Sequence, residues 1–325
     1  VYKRQVMYRL ILLLLIATGH ASHAVVAAEL NCLTADELES AALYTQLEQQ
    51  AYAHLDRRTE AYEQLKTPAD IRAHQTKLRD FFIQQLGGFP QRSPLNAKTV
   101  RTITADGYRI ECVIFESLPD HHITANLYLP EEGGPVPGVV VSSGHSRTAK
   151  TADYNQRFGI MMAKHGMAAL CFDPIGQGER SQVLDDQGEP FLGTTTEHFL
   201  IGFGSTLVGR STARYRVWDA MRAIDYMASR AEIDAQRIGF TGCSGGGTLT
   251  SYVMALDDRV ACAAPACYLT TFRRLIETIG PQDAEQNVYG QIAFGLDEPD
   301  YVLLRAPRPT LISCNTGDFF DIIGS

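Results

Sequence analysis

Apolar positions recur along this chain with two different periods, and the places where the period changes mark out its architecture. Thr34-Ala35-Asp36-Glu37 forms a capping box, and helical spacing follows it to about Lys66. Thr67-Pro68 then reads as an N-cap with proline at the first helical position, opening a second helix to Leu86 that Gly87-Gly88 stops. From Lys98 the pattern turns strand-like. Residues 99–104, 109–115 and 123–129 are successive strands, separated by turns at Asp106-Gly107 and Leu118-Pro119-Asp120. A Gly/Pro loop (131–137) leads to Gly138-Val139-Val140-Val141, apolar throughout, as in a strand covered on both faces. A helix over 154–165 ends at Gly166, and a strand over 167–172 follows. After a long loop, Val217, Met221 and Ile224 show helical spacing within 213–230. Then come a strand over 237–241, a helix over 248–256, a strand over 260–264, a helical insertion at about 270–305, and a further buried strand over 309–314.

Buried strands alternating with helices imply an α/β protein: a mostly parallel sheet with helices on both faces. Antiparallel strands stand at its start, and a helical arm precedes it. The expected division is a signal peptide over 1–28, the arm over 29–92 and the main domain over 93–325.

The amino terminus reads as a targeting segment. The first residue is Val, so Met7 is the expected start; Arg9 gives a positive flank and 10–17 a short apolar run. Ser22-His23-Ala24 and Val26-Ala27-Ala28 are two small-residue cleavage sites. The run is too short to span a bilayer comfortably, so a secreted or periplasmic protein with no stable membrane span after signal removal is expected.

Composition alters this picture little. Hydrophobic content of 45% and charged content of 20% are ordinary for a globular chain of 325 residues. A net charge of −8, with no basic run, argues against a nucleic-acid partner. Seven cysteines in an exported chain would permit three disulfides with one thiol over. Cys171, Cys243, Cys262 and Cys314 sit in apolar or turn contexts that suit free buried thiols, while Cys262 and Cys267 are near enough in sequence to pair. No Cys or His spacing suggests a metal, and no cofactor is implied.

The chemistry concentrates at Gly242-Cys243-Ser244-Gly245-Gly246, which fits G-x-S-x-G. A chain that leaves a buried strand, turns sharply and enters a helix at once needs glycine two residues before and two after the apex. Ser244 is placed at that apex, where the first N–H groups of the new helix converge. A tight turn without function is the bland alternative.

Together with Ser143-Gly144-His145-Ser146, the run Asp173-Pro174-Ile175-Gly176-Gln177-Gly178-Glu179-Arg180 and Thr316-Gly317-Asp318-Phe319-Phe320, the elbow resembles the α/β-hydrolase superfamily. Within it, the chain is similar to secreted acetylxylan-esterase-like carboxylesterases with a prolyl-oligopeptidase-like elbow. The likeness extends over about 98–325. It implies Ser244 as nucleophile, Asp318 as the acid, and an oxyanion hole from the N–H of Gly245 with that of His145 or Ser146. It also implies a small-molecule or carbohydrate ester as substrate. Asp258 is a second candidate acid.

The family order is Ser, acid, His, yet all nine histidines precede Ser244. A sequence incomplete at its carboxyl end is the expectation. The alternatives are that His145 or His198 serves as base, or that the chain is a non-catalytic relative; a peptidase of the same fold is the rival enzyme. Arg180 and Glu179 are expected to form a structural ion pair, Asp257-Asp258-Arg259 to cap the elbow helix, and the polar stretch 280–286 to form pocket wall.

Overall fold

The computed structural model describes Cys32 and residues 43–324 apart from 279 and 281. The signal peptide expected over 1–28 and the capping box expected at Thr34 lie outside the described residues. Residues from Ala51 onward make one compact unit.

Two helices lead into that unit, α1 (Leu43–Glu63) and α2 (Pro68–Gln85). Thr67 caps α2 as its sequence suggested: its hydroxyl accepts from Asp70 N, and the Asp70 carboxylate accepts from Thr67 N. Gly87 and Gly88, both at positive φ, end the helix. Helix α2 is part of the main core. Phe82 of α2 is fully buried and packs its ring 5.1 Å from Tyr252 and 5.4 Å from Tyr301.

A seven-stranded sheet follows, built from β1 (Lys98–Ala105), β2 (Tyr108–Leu118), β3 (His121–Pro130), β4 (Val136–Ser142), β5 (Ala168–Phe172), β6 (Ile233–Cys243) and β7 (Val260–Ala266). Its order is β1-β2-β3-β5-β4-β6-β7. The first three strands and the β3–β5 pair are antiparallel, while β5–β4, β4–β6 and β6–β7 are parallel. Every residue of β5 is buried, as a strand covered on both faces requires. Helix α3 (Asp153–Lys164) joins β4 to β5. Helices α4 (Thr194–Leu207) and α5 (Thr212–Ala228) precede β6, and α6 (Gly245–Leu256) follows it. The insertion contains α7 (Phe272–Glu277), a 3-10 turn (Ala284–Gln286), α8 (Gln291–Phe294) and α9 (Pro299–Arg305).

Three sequence expectations need correction. The long loop before α5 contains α4, whose amphipathicity is inverted. Its buried positions are Thr194, Glu197, His198, Gly202 and Ser205, whereas Phe199, Leu200, Phe203 and Leu207 are exposed. Apolar periodicity therefore pointed away from the core. The segment 309–314 runs parallel to β7, bridged at Thr310 and Ser313, but is not buried: Leu311 and Ile312 are exposed. Among the described residues β7 is its one strand neighbour. Among the described residues no disulfide joins the cysteines, and of the four expected to be buried only Cys171 is. The others lie at strand ends or on the sheet's outer flank, and Cys267 sits beside Cys243 rather than Cys262.

Candidate active site

The parallel pairing brings the carboxyl ends of β4 and β6 together, with Ser142 opposite Gly242 in the register. That is where an open α/β sheet presents a crevice. Ser244 is the residue between β6 and α6, and its backbone is strained: φ is 57° and ψ −121°, a combination that non-glycine residues rarely adopt. The strain is held by the surroundings. Ser244 N–H donates to Ala266 O of β7 at 2.9 Å, and Thr248 N–H donates to Ser244 O at 2.9 Å. A Cβ at Gly246 would lie 2.2 Å from Ser142 O, so the close approach of the two loops requires glycine there. Ser244 is half-buried at the tip of a helix whose twelve residues are all buried.

His145 follows β4 and lies over the elbow. A Cβ at Gly245 would stand 2.5–2.9 Å from three of its ring atoms, so the imidazole occupies the space glycine leaves. The loop carrying it is fastened by Gln177, a buried residue of the Asp173–Arg180 stretch. Gln177 Nε2 donates to Gly144 O at 2.6 Å and to Ser146 O at 2.7 Å. Ser146 N–H already donates to Gly144 O at 2.7 Å, which engages one of the two N–H groups expected in the oxyanion hole.

The Asp173–Arg180 stretch is rigid for reasons visible in its ion pairs. Lys150 Nζ bonds both Asp173 and Glu179, and Thr124 donates to Asp173 Oδ2 at 2.7 Å. Arg180 turns away from Glu179 and pairs instead with buried Asp219 at 2.7 Å. The expected Arg180–Glu179 pair does not form, because side chains adjacent in a tight turn diverge and each meets a better-placed partner. Burial opposes ionisation of Asp219, but Arg180 and His121 outweigh it and keep the carboxyl below its usual range.

The two histidines considered as stand-in bases meet in one polar cluster. His145 Nε2 lies 2.8 Å from Glu285 Oε1 and 3.0 Å from Asp283 Oδ2; His198 Nδ1 lies 2.8 Å from the same Asp283 oxygen. Arg216, fully buried, donates to Glu285 Oε1 at 2.5 Å. Burial disfavours the charged imidazoles, yet the hydrogen bonds to Asp283 and Glu285 prevail and raise both histidines above their ordinary value. Among the described residues, no hydrogen bond reaches Ser244 Oγ from either ring. Sequence reading placed 280–286 in a pocket wall and missed this cluster.

Asp318 lies past the 309–314 segment, half-buried, with Oδ1 accepting from Phe320 N at 3.3 Å. It stands beside Cys267, which itself lies beside Cys243, the residue before Ser244. Burial, then Cys243 and Asp318, pushes the Cys267 thiol up to about 12. Asp258 does not join the site: it lies past the other end of α6, beside Arg79 and Arg308. Asp257, the residue at the end of α6, binds Arg259 at 2.6 Å, as the capping expectation had it. A cavity of about 890 Å³ adjoins α4, lined by Phe199, Phe203, Ala284, Gln286, Val288 and Tyr289; Ser244 is not in its wall.

A mixed sheet with helices on both faces, and a strained serine between a strand end and a buried helix, define an α/β-hydrolase fold. The chain matches the acetyl xylan esterase (AXE1) family over residues 62–293. It belongs to that family, and is by class a carboxylic ester hydrolase. It is 26% identical over 241 residues to "Putative hydrolase YtaP" of Bacillus subtilis (strain 168), covering 70% of this chain and 75% of that one. Among solved structures it is similar to "a putative acetyl xylan esterase" from Bacteroides fragilis, with a TM-score of 0.64, 20% identity, and 76% of this chain and 69% of that one covered. "Methylesterase BT1017" also superposes with a TM-score of 0.64 at 22% identity, covering 83% of this chain and 56% of that one. These structural likenesses concern the fold. Among the described residues no helix is long and apolar enough to cross a membrane.

Proposed function

We propose that the chain hydrolyses carboxylic esters through an acyl-enzyme formed on Ser244. The backbone of Ser244 carries this reading, since a φ of 57° on a serine persists only where surroundings enforce it. Ser244 Oγ attacks the ester carbonyl while a general base, a histidine by the family likeness, takes its proton and returns it to the departing alcohol. Water then attacks the acyl-enzyme and restores the serine. The Gly245 N–H and the His145 N–H receive the oxyanion, because Ser146 N–H is engaged by Gly144 O. Asp318 orients the base and stabilises its charged form. His145 is the imidazole that touches the elbow, but its Nε2 is held by carboxylates, so it is not assigned as that base.

Family membership favours a short acyl ester, acetyl first, with carbohydrate as the alcohol. The apolar run and small-residue sites ahead of residue 28 favour an exported protein. Hydrolysis of p-nitrophenyl acetate by the wild-type chain beside Ser244→Ala tests the reading. Loss of turnover in the variant is expected, and turnover that survives the substitution would overturn it.

A further inference from the structure

His145, His198, Asp283 and Glu285 each offer one donor atom, and these atoms all lie within 4.8 Å of one another. Three of the four side chains are at most 4% exposed. They come from the loop after β4, from α4 and from the 3-10 turn of the insertion.

The hydrogen bonds of His198 do not close with a neutral ring and ionised carboxylates. Its Nε2 lies 3.0 Å from the Ile175 carbonyl, which only accepts, so Nε2 carries a proton. In the neutral ring Nδ1 is then a lone pair, yet it faces Asp283 Oδ2 at 2.8 Å. Two acceptors at that distance need a positive charge between them. Glu285 adds a second acceptor without a donor: its Oε2 is buried and makes no hydrogen bond, and it lies 3.5 Å from His198 Nδ1. With both rings neutral, Asp283, Glu285 and Arg216 sum to one negative charge.

We propose that these four residues form a binding site for a divalent cation of the zinc class. Zinc takes His and carboxylate donors at about 2.0–2.2 Å in a tetrahedron, which sets neighbouring donors about 3.3 Å apart. The histidine–carboxylate separations here run from 2.8 to 3.5 Å, with Glu285 facing His145 through Oε1 and His198 through Oε2, and the four donor atoms all lie within 4.8 Å of one another. The outer partners also match. A ligand histidine characteristically donates its other N–H to a carbonyl, as His198 does to Ile175, and a ligand carboxylate is itself hydrogen-bonded, as Glu285 is by Arg216. With four protein donors the site is closed, which marks a structural ion. It would tie the His145 loop, α4 and the insertion together beside the elbow. The inverted face of α4 gains a reason: its polar side is turned inward to supply His198.

The test uses the purified full chain, stripped with a chelator and titrated with Zn²⁺ against a chromophoric competitor. One equivalent is expected to bind. Asp283→Asn and His198→Ala should each weaken it on the order of 100-fold. Co²⁺ added to the unaltered chain should give the intense visible bands of a four-coordinate site. Folded wild type that takes up no stoichiometric Zn²⁺ would overturn the proposal and leave protons as the bridging charge. So would the weak spectrum of six-coordinate Co²⁺, or uptake undiminished in an Asp283→Asn chain with wild-type circular dichroism.

Discussion

Replacing Gln177 with leucine removes two hydrogen bonds and little volume, so it separates the geometry of the 144–146 loop, proposed to receive the oxyanion, from its packing. Both amide hydrogens of Gln177 are spent on that loop, at 2.6 and 2.7 Å, and the residue is 1% exposed. Each bond contributes about 1 kcal/mol net, so the variant should lose about 2 kcal/mol of stability. In a domain of this size that lowers Tm by roughly 4–8 °C. The catalytic effect should be larger than stability alone explains. Losing one oxyanion donor outright costs about 10²–10³ in rate, and a loop freed to drift should lose part of that, about 10–100-fold in kcat. KM should hold within a factor of about three, because the contact acts on the developing charge rather than on the bound ester. Steady-state hydrolysis of p-nitrophenyl acetate, beside a thermal melt, reads both quantities. An unchanged kcat in a variant with lowered Tm would refute the assignment of this loop to the oxyanion hole.

Two further outcomes follow from buried groups. Gly246→Ala should cost at least the ~1–3 kcal/mol of overpacking in urea denaturation, because the new methyl meets Ser142 backbone, which cannot move aside without opening the β4–β6 pairing. Glu298 is fully buried, and burial above all, with Asp297 adding to it, pushes its carboxyl up to about 8. The folded chain thus holds this proton while the unfolded chain releases it near about 4.3, so the contribution is full below that pH and is lost as pH rises towards 8. Melting temperatures across pH 4–8 should fall less steeply in Glu298→Gln than in wild type; parallel slopes would contradict this.

The elbow was legible in the sequence because its demands are local. Glycines on both sides of Ser244, a buried strand before it and a helix after it are all consecutive residues, and the backbone does what they require. The sheet was legible for a similar reason: runs such as 138–141 and 168–172 are apolar enough to exclude other environments. Helix α4 was not, since the usual signal is reversed there, with Phe199 and Phe203 outward and Glu197 and His198 inward. The polar cluster was hidden for a different reason. His145, His198, Asp283 and Glu285 come from three segments whose spacing is set by the fold and not by any helical or hairpin period. Ion pairs behaved likewise, as Arg180 passed over its neighbour Glu179 for Asp219, 39 positions on.

The central claim is that Ser244 is the nucleophile, and covalent labelling tests it most directly. The chain should react with a fluorophosphonate, and peptide mass spectrometry should place the adduct on Ser244, with no adduct in Ser244→Ala. Modification of another residue, or undiminished labelling of the folded alanine variant, would contradict the account.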